Sequence, residues 1–329
     1  MKNRLESVWL RPELAFAFFA LLLGARDVGA ELLFKGQAAE ARSCFAFLIC
    51  LTITVLSLLI VIAQADLLGL LRKILDRRIL PRLILVGVSA AVVYLVTFEM
   101  IGRLGAGVFD LFDYGLAPIL TGALGVMLFH NLMTPRLLFA ALAYAAGIFL
   151  LFWGNQMAGW VLVVVAILSP VGTAVSDATT KWLLSKEGGN MTRAELLLVR
   201  FLPATALIGT WILGTGGEIH LHSAWASLPL AVFGAFLPLW LLCTGLGRSS
   251  LTKYAVWEFL IPAVAFFATL PLHPEHLTLK AISGAVIIIL AVALHEIKWR
   301  PRVGTPKMPR TLLVEPRSVR IHGAGQDSS

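Results

Sequence analysis

The sequence predicts an all-α integral membrane protein whose ten transmembrane helices form a five-plus-five inverted repeat. The first observation is composition: of the 329 residues, 58% are hydrophobic and 14% are charged, and the mean hydropathy is +0.85. Soluble domains contain about 25% charged and about 45–50% apolar residues, so a single soluble globule and a disordered chain are both excluded. The second observation is a series of long apolar segments, and the third is a similarity between two distant parts of the chain.

Ten apolar segments are each close to the length of about 20 residues that spans a bilayer. They are 12–34, 44–68, 83–101, 106–129, 137–154, 160–182, 194–213, 227–246, 254–272 and 278–298. Five of them make up the first repeat, residues 12–154, and five the second repeat, residues 160–298. Residues 1–11 are then a short N-terminus. Residues 299–329 are basic and rich in Pro and Gly, so we expect a disordered tail.

Lys and Arg residues are unequally distributed between the two sides of this topology. With the N-terminus inside, 21 of them lie on the cytoplasmic side and 4 on the outer side, while Arg26 and Arg200 lie within helices. Because cytoplasmic loops carry an excess of Lys and Arg, we expect a multi-pass protein of the cytoplasmic (inner) membrane with both termini in the cytoplasm. The same loops and tail account for the net charge of +8 without a nucleic-acid partner.

Two stretches of the chain share one pattern. Residues 105–153 and 249–294 each contain a helix with a Pro in its middle, a short loop, and a helix with small residues. Pro118 superposes on Pro262 at an offset of 144 residues. Five helices per half give the two stretches opposite orientations in the membrane, so the pattern predicts an inverted repeat, which many transporters contain.

At these residues the chain resembles the EamA-like branch of the drug/metabolite transporter superfamily, over about residues 12–298. The second half carries the residues typical of that family: Leu246, Ser249, Ser250, Pro262, Glu275, His276, Leu277, Thr278 and Gly284. The first half keeps Gly105, Ala106 and Pro118, and has His130-Asn131 where the family usually has Gly-Glu. The resemblance implies a membrane transporter that exports metabolites or amino acid-like compounds.

Ionisable residues within the helices of the first half are candidates for substrate binding or coupling, because charge inside a membrane is costly and is usually functional. They are Arg26, Asp27, Glu31, Glu99, Arg103, Asp110 and Asp113. One interpretation is a hydrated vestibule that attracts cations and in which one carboxylate binds a proton. The other is that several of these charges lie at the lipid headgroups, where they cost little. For Glu99 and Arg103, which are four residues apart, we expect an ion pair near a helix end.

Among these carboxylates, Asp113 is our first choice for binding a coupling proton. It is the deeper member of the Asp110/Asp113 pair and lies within about one and a half helical turns of Pro118. Asp27 is the second choice, because the neighbouring Arg26 would hold it ionised.

The second half has fewer candidates for substrate binding or coupling, which are Asp177, Arg200, Glu258 and Pro262; we expect Pro262 and its counterpart Pro118 to line one central cavity. Asp177 and Lys181 are four residues apart, so we expect them to neutralise each other. Arg200 lies about a turn and a half into its segment, and we expect its side chain to extend to the inner surface.

Two further candidates precede the repeated prolines. Glu258 lies four residues before Pro262, and a Pro at that place leaves the carbonyl of residue 258 without its helical partner. Tyr114 holds the equivalent position before Pro118. A carboxylate or hydroxyl beside a kink is a plausible polar site, so we predict substrate contacts at Glu258 and Tyr114.

These patterns predict a secondary transporter, not an enzyme, that exports a small polar or zwitterionic metabolite by alternating access. Proton coupling and a homodimer are left open. The chain contains no GxxxxGK[ST] sequence, so we expect no ATP hydrolysis. We predict no cofactor and no metal, and the partners are a small-molecule substrate and the lipid bilayer. The alternatives are a membrane-embedded enzyme or a channel that uses the intramembrane carboxylates.

Overall fold

The computed structural model describes residues 11–34, 39–64, 67–131, 160–216 and 224–269, and isolated residues 138, 142, 271, 279, 282, 283, 286, 287 and 290. The predicted segments 137–154 and 278–298 fall largely outside these ranges, and residues 1–10 and the tail fall wholly outside them. The ten-helix count, the inverted repeat and the domain boundaries therefore stay predictions.

The described part of the chain is helical. The helices of the first half are α1 (Pro12–Phe34), α2 (Ala39–Ala63), α3 (Leu67–Ile74), α4 (Leu80–Leu104) and α5 (Ala106–Phe129). Those of the second half are α6 (Trp160–Leu184), α7 (Arg193–Gly214), α8 (Ala224–Pro229), a π-helix (Leu230–Phe236), α9 (Leu237–Leu246), α10 (Leu251–Glu258) and α11 (Leu260–Thr269). The bounds of α1 and α5 agree with the apolar segments 12–34 and 106–129.

Local sequence explains where several helices begin and end. Gly105, with φ of 80°, separates α4 from α5 by a backbone conformation that favours glycine. The Thr192 side chain accepts a hydrogen bond from the backbone N–H of Glu195, and the Glu195 side chain accepts one from Thr192, so a capping box begins α7. The Ser250 hydroxyl caps α10 in the same way, by accepting from the N–H of Lys253 at 3.2 Å.

The predicted segment 254–272 is two helices instead of one. Helix α10 ends at Glu258, Phe259 forms a turn, and α11 begins at Leu260. Because Pro262 has no N–H, the carbonyl of Glu258 lacks its α-helical partner, and the interruption falls at this place. Most of the segment 44–68 lies in α2, and its last two residues are the first two of the short helix α3.

Helix α1 is packed between other helices and carries its charged residues inward. It contacts α9, α11 and the π-helix, while α5 packs against α6, α10 and α11. Arg26 and Asp27 of α1 are 5% and 0% exposed. The packing is close, since a Cβ on Gly234 of the π-helix would lie 2.8 Å from the Arg26 side chain.

Large apolar side chains cover much of the outside. Leu59, Leu202, Trp211, Leu213 and Phe233 are each more than half exposed. A water-soluble monomer rarely exposes so extensive an apolar surface. Within the described residues, five helical stretches are long and apolar enough to cross a bilayer: Ala41–Ala63, Leu80–Leu104, Arg193–Gly214, Ser227–Leu246 and Leu251–Thr269. The chain is a membrane protein.

Candidate substrate and coupling site

A cavity of about 440 Å³, counting the space at its mouth, lies among helices of both halves of the chain. Its charged and phenolic lining residues are Arg26, Tyr94, Tyr114, Asp177, Arg200 and Tyr254. The first three come from α1, α4 and α5, and the other three from α6, α7 and α10. Apolar side chains complete the wall, among them Phe19 and Leu242. An apolar pocket with a few convergent polar groups is typical of a small-molecule site.

Arg26 forms an ion pair with its neighbour in the chain. Its Nε donates to Asp27 Oδ1 at 2.7 Å, and its Nη2 lies 2.5 Å from the same oxygen. The guanidinium carbon also lies 5.7 Å from the ring centre of Tyr94 and 5.6 Å from that of Phe98. Arg26 and Asp27 therefore contact each other directly, and as an ion pair they leave little net charge at this wall.

Arg200 is bound much more loosely than Arg26. It is 4% exposed, and its nearest carboxylate contact is Asp177 Oδ1, 3.8 Å from Nη1. That distance is too long for a hydrogen bond. Its Nε and Nη1 atoms are buried and have no hydrogen-bond partner. The cavity wall thus contains a guanidinium whose donors are free to bind an anionic group.

Two sequence-based predictions in the second half are wrong. Arg200 does not extend to the inner surface, because its side chain is buried beside Asp177 and lines the cavity. Asp177 and Lys181 do not neutralise each other: Lys181 Nζ donates to the carbonyl oxygen of Leu246 at 2.6 Å. The i,i+4 spacing permitted an ion pair between Asp177 and Lys181. In the structure Asp177 contacts Arg200 of α7, and Lys181 contacts the carbonyl of Leu246 at the end of α9.

Tyr254 connects the two carboxyl groups of the second half. Its hydroxyl oxygen lies 3.0 Å from Asp177 Oδ2 and 2.9 Å from Glu258 Oε1. Asp177 and Glu258 are 1% and 0% exposed. Of the two, Asp177 lines the cavity, while Glu258 lies behind Tyr254. The rings of Phe16 and Phe19 pack on Tyr254, with centroid distances of 5.2 and 5.8 Å, and fix its position.

Asp110 and Asp113 are buried on α5 without hydrogen-bond partners for either carboxyl oxygen. Asp110 interacts with Asp27, and Asp113 faces the hydroxyl of Ser169 on α6. A charged carboxylate is costly to bury without partners. Neither residue is part of the cavity wall.

Glu31, Pro118 and Pro262 are not among the residues that line this cavity. The Glu31 carboxylate accepts a hydrogen bond from the backbone N–H of Ala106 at 2.9 Å, where it caps the beginning of α5. This contact places the Glu31 carboxylate at the junction of α1 and α5. Pro118 and Pro262 are buried, but neither is among the residues that line the cavity.

Glu99 and Arg103 form the expected pair, with Nη2 2.6 Å from Oε1. Glu99 also accepts from Arg42 of α2, whose Nε lies 3.0 Å from Oε2. These three residues are partly exposed and lie away from the cavity, so their contacts are structural.

Sequence analysis missed Tyr94 and Tyr254, which both line the cavity. Tyr254 lies four residues before Glu258 on one helix, and that spacing could have indicated the contact. No sequence spacing indicates that Tyr94 belongs to the site, because its contact is with Arg26 of another helix.

Comparison with known proteins gives two results. The model of the EamA-like transporter family matches residues 158–295. A protein solved by crystallography superposes with a TM-score of 0.64 at 13% sequence identity, covering 87% of this chain and 97% of that chain. At this identity the likeness shows a shared fold only. No protein of curated function matches the sequence.

The family match includes Asp177, Arg200, Tyr254 and Glu258, the charged and phenolic residues that the second half contributes to the site and its surroundings. EamA members are membrane transporters, which agrees with apolar helices around a small cavity that contains a few charged and phenolic side chains. Residues 158–295 of this chain are therefore similar to the EamA-like transporter family, which is part of the drug/metabolite transporter superfamily.

Proposed function

We propose that this protein is a secondary transporter that exports a small polar or zwitterionic metabolite across the cytoplasmic membrane by alternating access. The observation that carries the proposal is the cavity that Arg26, Asp177 and Arg200 line together. Its wall presents a guanidinium with unpaired donors and a carboxylate that touches it at 3.8 Å. A ligand with both an anionic and a cationic group would complement these two side chains.

The position of the cavity supports a carrier. The lining side chains come from residues 12–154 and 160–298, the two predicted repeats, and transporters bind their substrates where such repeats meet. Relative movement of the two halves would expose this site to one side of the membrane and then to the other. The family resemblance supports export, and the distribution of Lys and Arg supports an orientation in the cytoplasmic membrane with both termini in the cytoplasm.

Reconstitution into liposomes tests the proposal. Vesicles loaded with an unlabelled panel of amino acids and small carboxylic acids are supplied with a labelled member of the same panel, and we expect saturable counterflow. Arg200→Gln should abolish it, because the guanidinium that would hold the anionic group is gone. Arg77→Gln, at an exposed arginine, is the matched control and should retain it.

The same assay separates the two alternatives. A conductance that does not saturate would indicate a channel, and chemical conversion without flux would indicate a membrane-embedded enzyme. Counterflow that Arg200→Gln leaves unchanged would overturn the assignment of the cavity.

Proton coupling through Asp113, the first choice from the sequence, is one of two alternatives; the other is the cluster of Asp177, Tyr254 and Glu258. Asp113→Asn keeps the size of the side chain and removes its ability to titrate. If Asp113 carries the coupling, that variant should lose flux driven by a pH gradient and retain exchange.

A further inference from the structure

We infer that Asp177, Tyr254 and Glu258 share one exchangeable proton, and that this triad beside the cavity is the coupling site of the transporter. The inference rests on the proposed function for its physiological meaning. Its physical core, the shared proton, rests on geometry alone.

The hydroxyl group of Tyr254 has two carboxyl neighbours and only one proton. The phenol oxygen of Tyr254 lies within 3.0 Å of a carboxyl oxygen on each side. A phenol carries one hydroxyl proton and donates it to one acceptor. The second contact is a full hydrogen bond of its own when the other carboxyl is protonated and donates to the phenol oxygen. Two full hydrogen bonds therefore need one proton on Asp177 or Glu258 in addition to the tyrosine proton.

The charges around the two carboxyl groups also favour one proton on Asp177 or Glu258. Asp177 and Glu258 are almost fully buried, and the cation beside them is Arg200, 3.8 Å from Asp177. One guanidinium balances one carboxylate, and a second buried negative charge would be uncompensated. Other polar groups do not supply the missing charge, since Asp113 of α5 faces Glu258 and Cys243 of α9 faces Asp177. On α1, the Arg26 guanidinium is already paired with Asp27.

Only one of the two carboxyl groups is in contact with the cavity, so a proton that moves between them moves toward or away from the cavity. Asp177 lines the cavity and touches Arg200, while Glu258 lies behind Tyr254 and its Oε2 has no hydrogen-bond partner. In the transfer, Glu258 gives its proton to the phenol oxygen as the phenol gives its own proton to Asp177. One O–H bond breaks and one forms at each step, and Tyr254 is unchanged at the end.

The location of Asp177 links this proton to a ligand. A cationic group that binds Asp177 competes with the proton for the same carboxylate. An anionic group on Arg200 withdraws the cation that keeps Asp177 ionised. Either event changes the position of the proton, so occupancy of the cavity and protonation of the triad depend on each other. This dependence is a coupling free energy between two ligands.

Infrared spectroscopy of the purified full-length protein tests the shared proton without any substrate. A protonated carboxyl gives a carbonyl stretching band that shifts in D₂O. We expect Glu258→Gln and Asp177→Asn to remove the same band, and Tyr254→Phe to shift it. Tyr254→Phe keeps the ring that packs on Phe16 and Phe19, so it should fold. Glu187→Gln, at an exposed carboxylate, should leave the spectrum unchanged.

Two infrared results would overturn the inference: no band affected by Glu258→Gln, or two separate bands removed by the two carboxyl variants. Asp113→Asn distinguishes the triad from Asp113, because we expect it to leave the triad band in place.

A transport assay in liposomes is the second test. In liposomes with the amino-acid and carboxylic-acid panel, Glu258→Gln should lose flux driven by a pH gradient and retain counterflow, whereas Asp113→Asn should retain both. Loss in Asp113→Asn with retention in Glu258→Gln would assign coupling to Asp113 and contradict the triad. Failure of the wild-type protein to transport any panel member would count against the proposed function, while the infrared result would still stand or fall independently.

Discussion

Gly245 of α9 lies where this helix crosses α1, and a Cβ built on it would be 2.2 Å from Cε1 of Phe16. Phe16 in turn packs on Tyr254 beside the cavity. The absence of a side chain at this position thus allows two helices and a site residue to approach closely. We expect Gly245→Ala to lower the free energy of unfolding by about 1–3 kcal/mol, the usual cost of overpacking.

Thermal unfolding in detergent measures this effect. Gly214→Ala is the matched control, because nothing lies within 4 Å of a Cβ at the end of α7. It should leave the unfolding temperature unchanged or slightly raised. Equal effects of the two substitutions would contradict the close contact between α9 and α1.

At the scale of single helices, the beginning of α7 is a compact junction with α3. The Thr192 capping box satisfies the first N–H groups, and Lys73 Nζ lies 2.9 Å from both Glu195 carboxylate oxygens. Thr192→Ala removes the cap and should cost about 1 kcal/mol of stability. Chemical or thermal unfolding compares it with Thr210→Ala, an exposed position on the same helix, where we expect almost no change.

A second contact between elements joins the two halves of the chain. Lys253 at the beginning of α10 forms an ion pair with Glu13 at the beginning of α1, and the side chains are 32% and 37% exposed. A partly exposed pair of this kind contributes about 0.2–1 kcal/mol. We expect a double-mutant cycle of Glu13→Gln and Lys253→Gln to give a coupling energy in this range, and high salt to reduce it. A coupling energy that salt does not change would contradict an ionic contact.

Helices were more predictable from sequence than the contacts between them. The bounds of α1 and α5 follow from apolar runs that end at polar or glycine residues, so composition alone finds them. The sequence analysis expected Pro262 to kink a continuous helix by freeing the carbonyl of Glu258. In the structure the helix is interrupted at Phe259. The partners of Asp177 were not predictable, because a helical spacing of four identifies only same-helix neighbours, and Arg200 arrives from another helix. The π-helix beside Arg26 likewise depends on tertiary packing.

Compared with a water-soluble protein, this molecule has charged side chains in its interior and apolar side chains on much of its surface. Among the residues that the structure describes, Asp27, Asp110, Asp113, Asp177 and Glu258 are buried together with Arg26 and Arg200, while leucines cover much of the outer surface. This arrangement follows from the bilayer, since lipid solvates apolar side chains and charged groups are stable only in contact with partners or water. A polar interior crossed by helices from both halves is what a path for a polar solute requires.

The orientation of this molecule in the membrane gives the last prediction. The 21-to-4 distribution of Lys and Arg favours a cytoplasmic C-terminal tail and an outer loop at residues 214–226. An impermeant thiol reagent should label Ser223→Cys in intact cells and label Ser318→Cys only after permeabilisation. The native Cys44, Cys50 and Cys243 are at most 2% exposed, and replacing all three removes any remaining background. Labelling of Ser318→Cys in intact cells would place the tail outside and reverse the direction of every transport step proposed above.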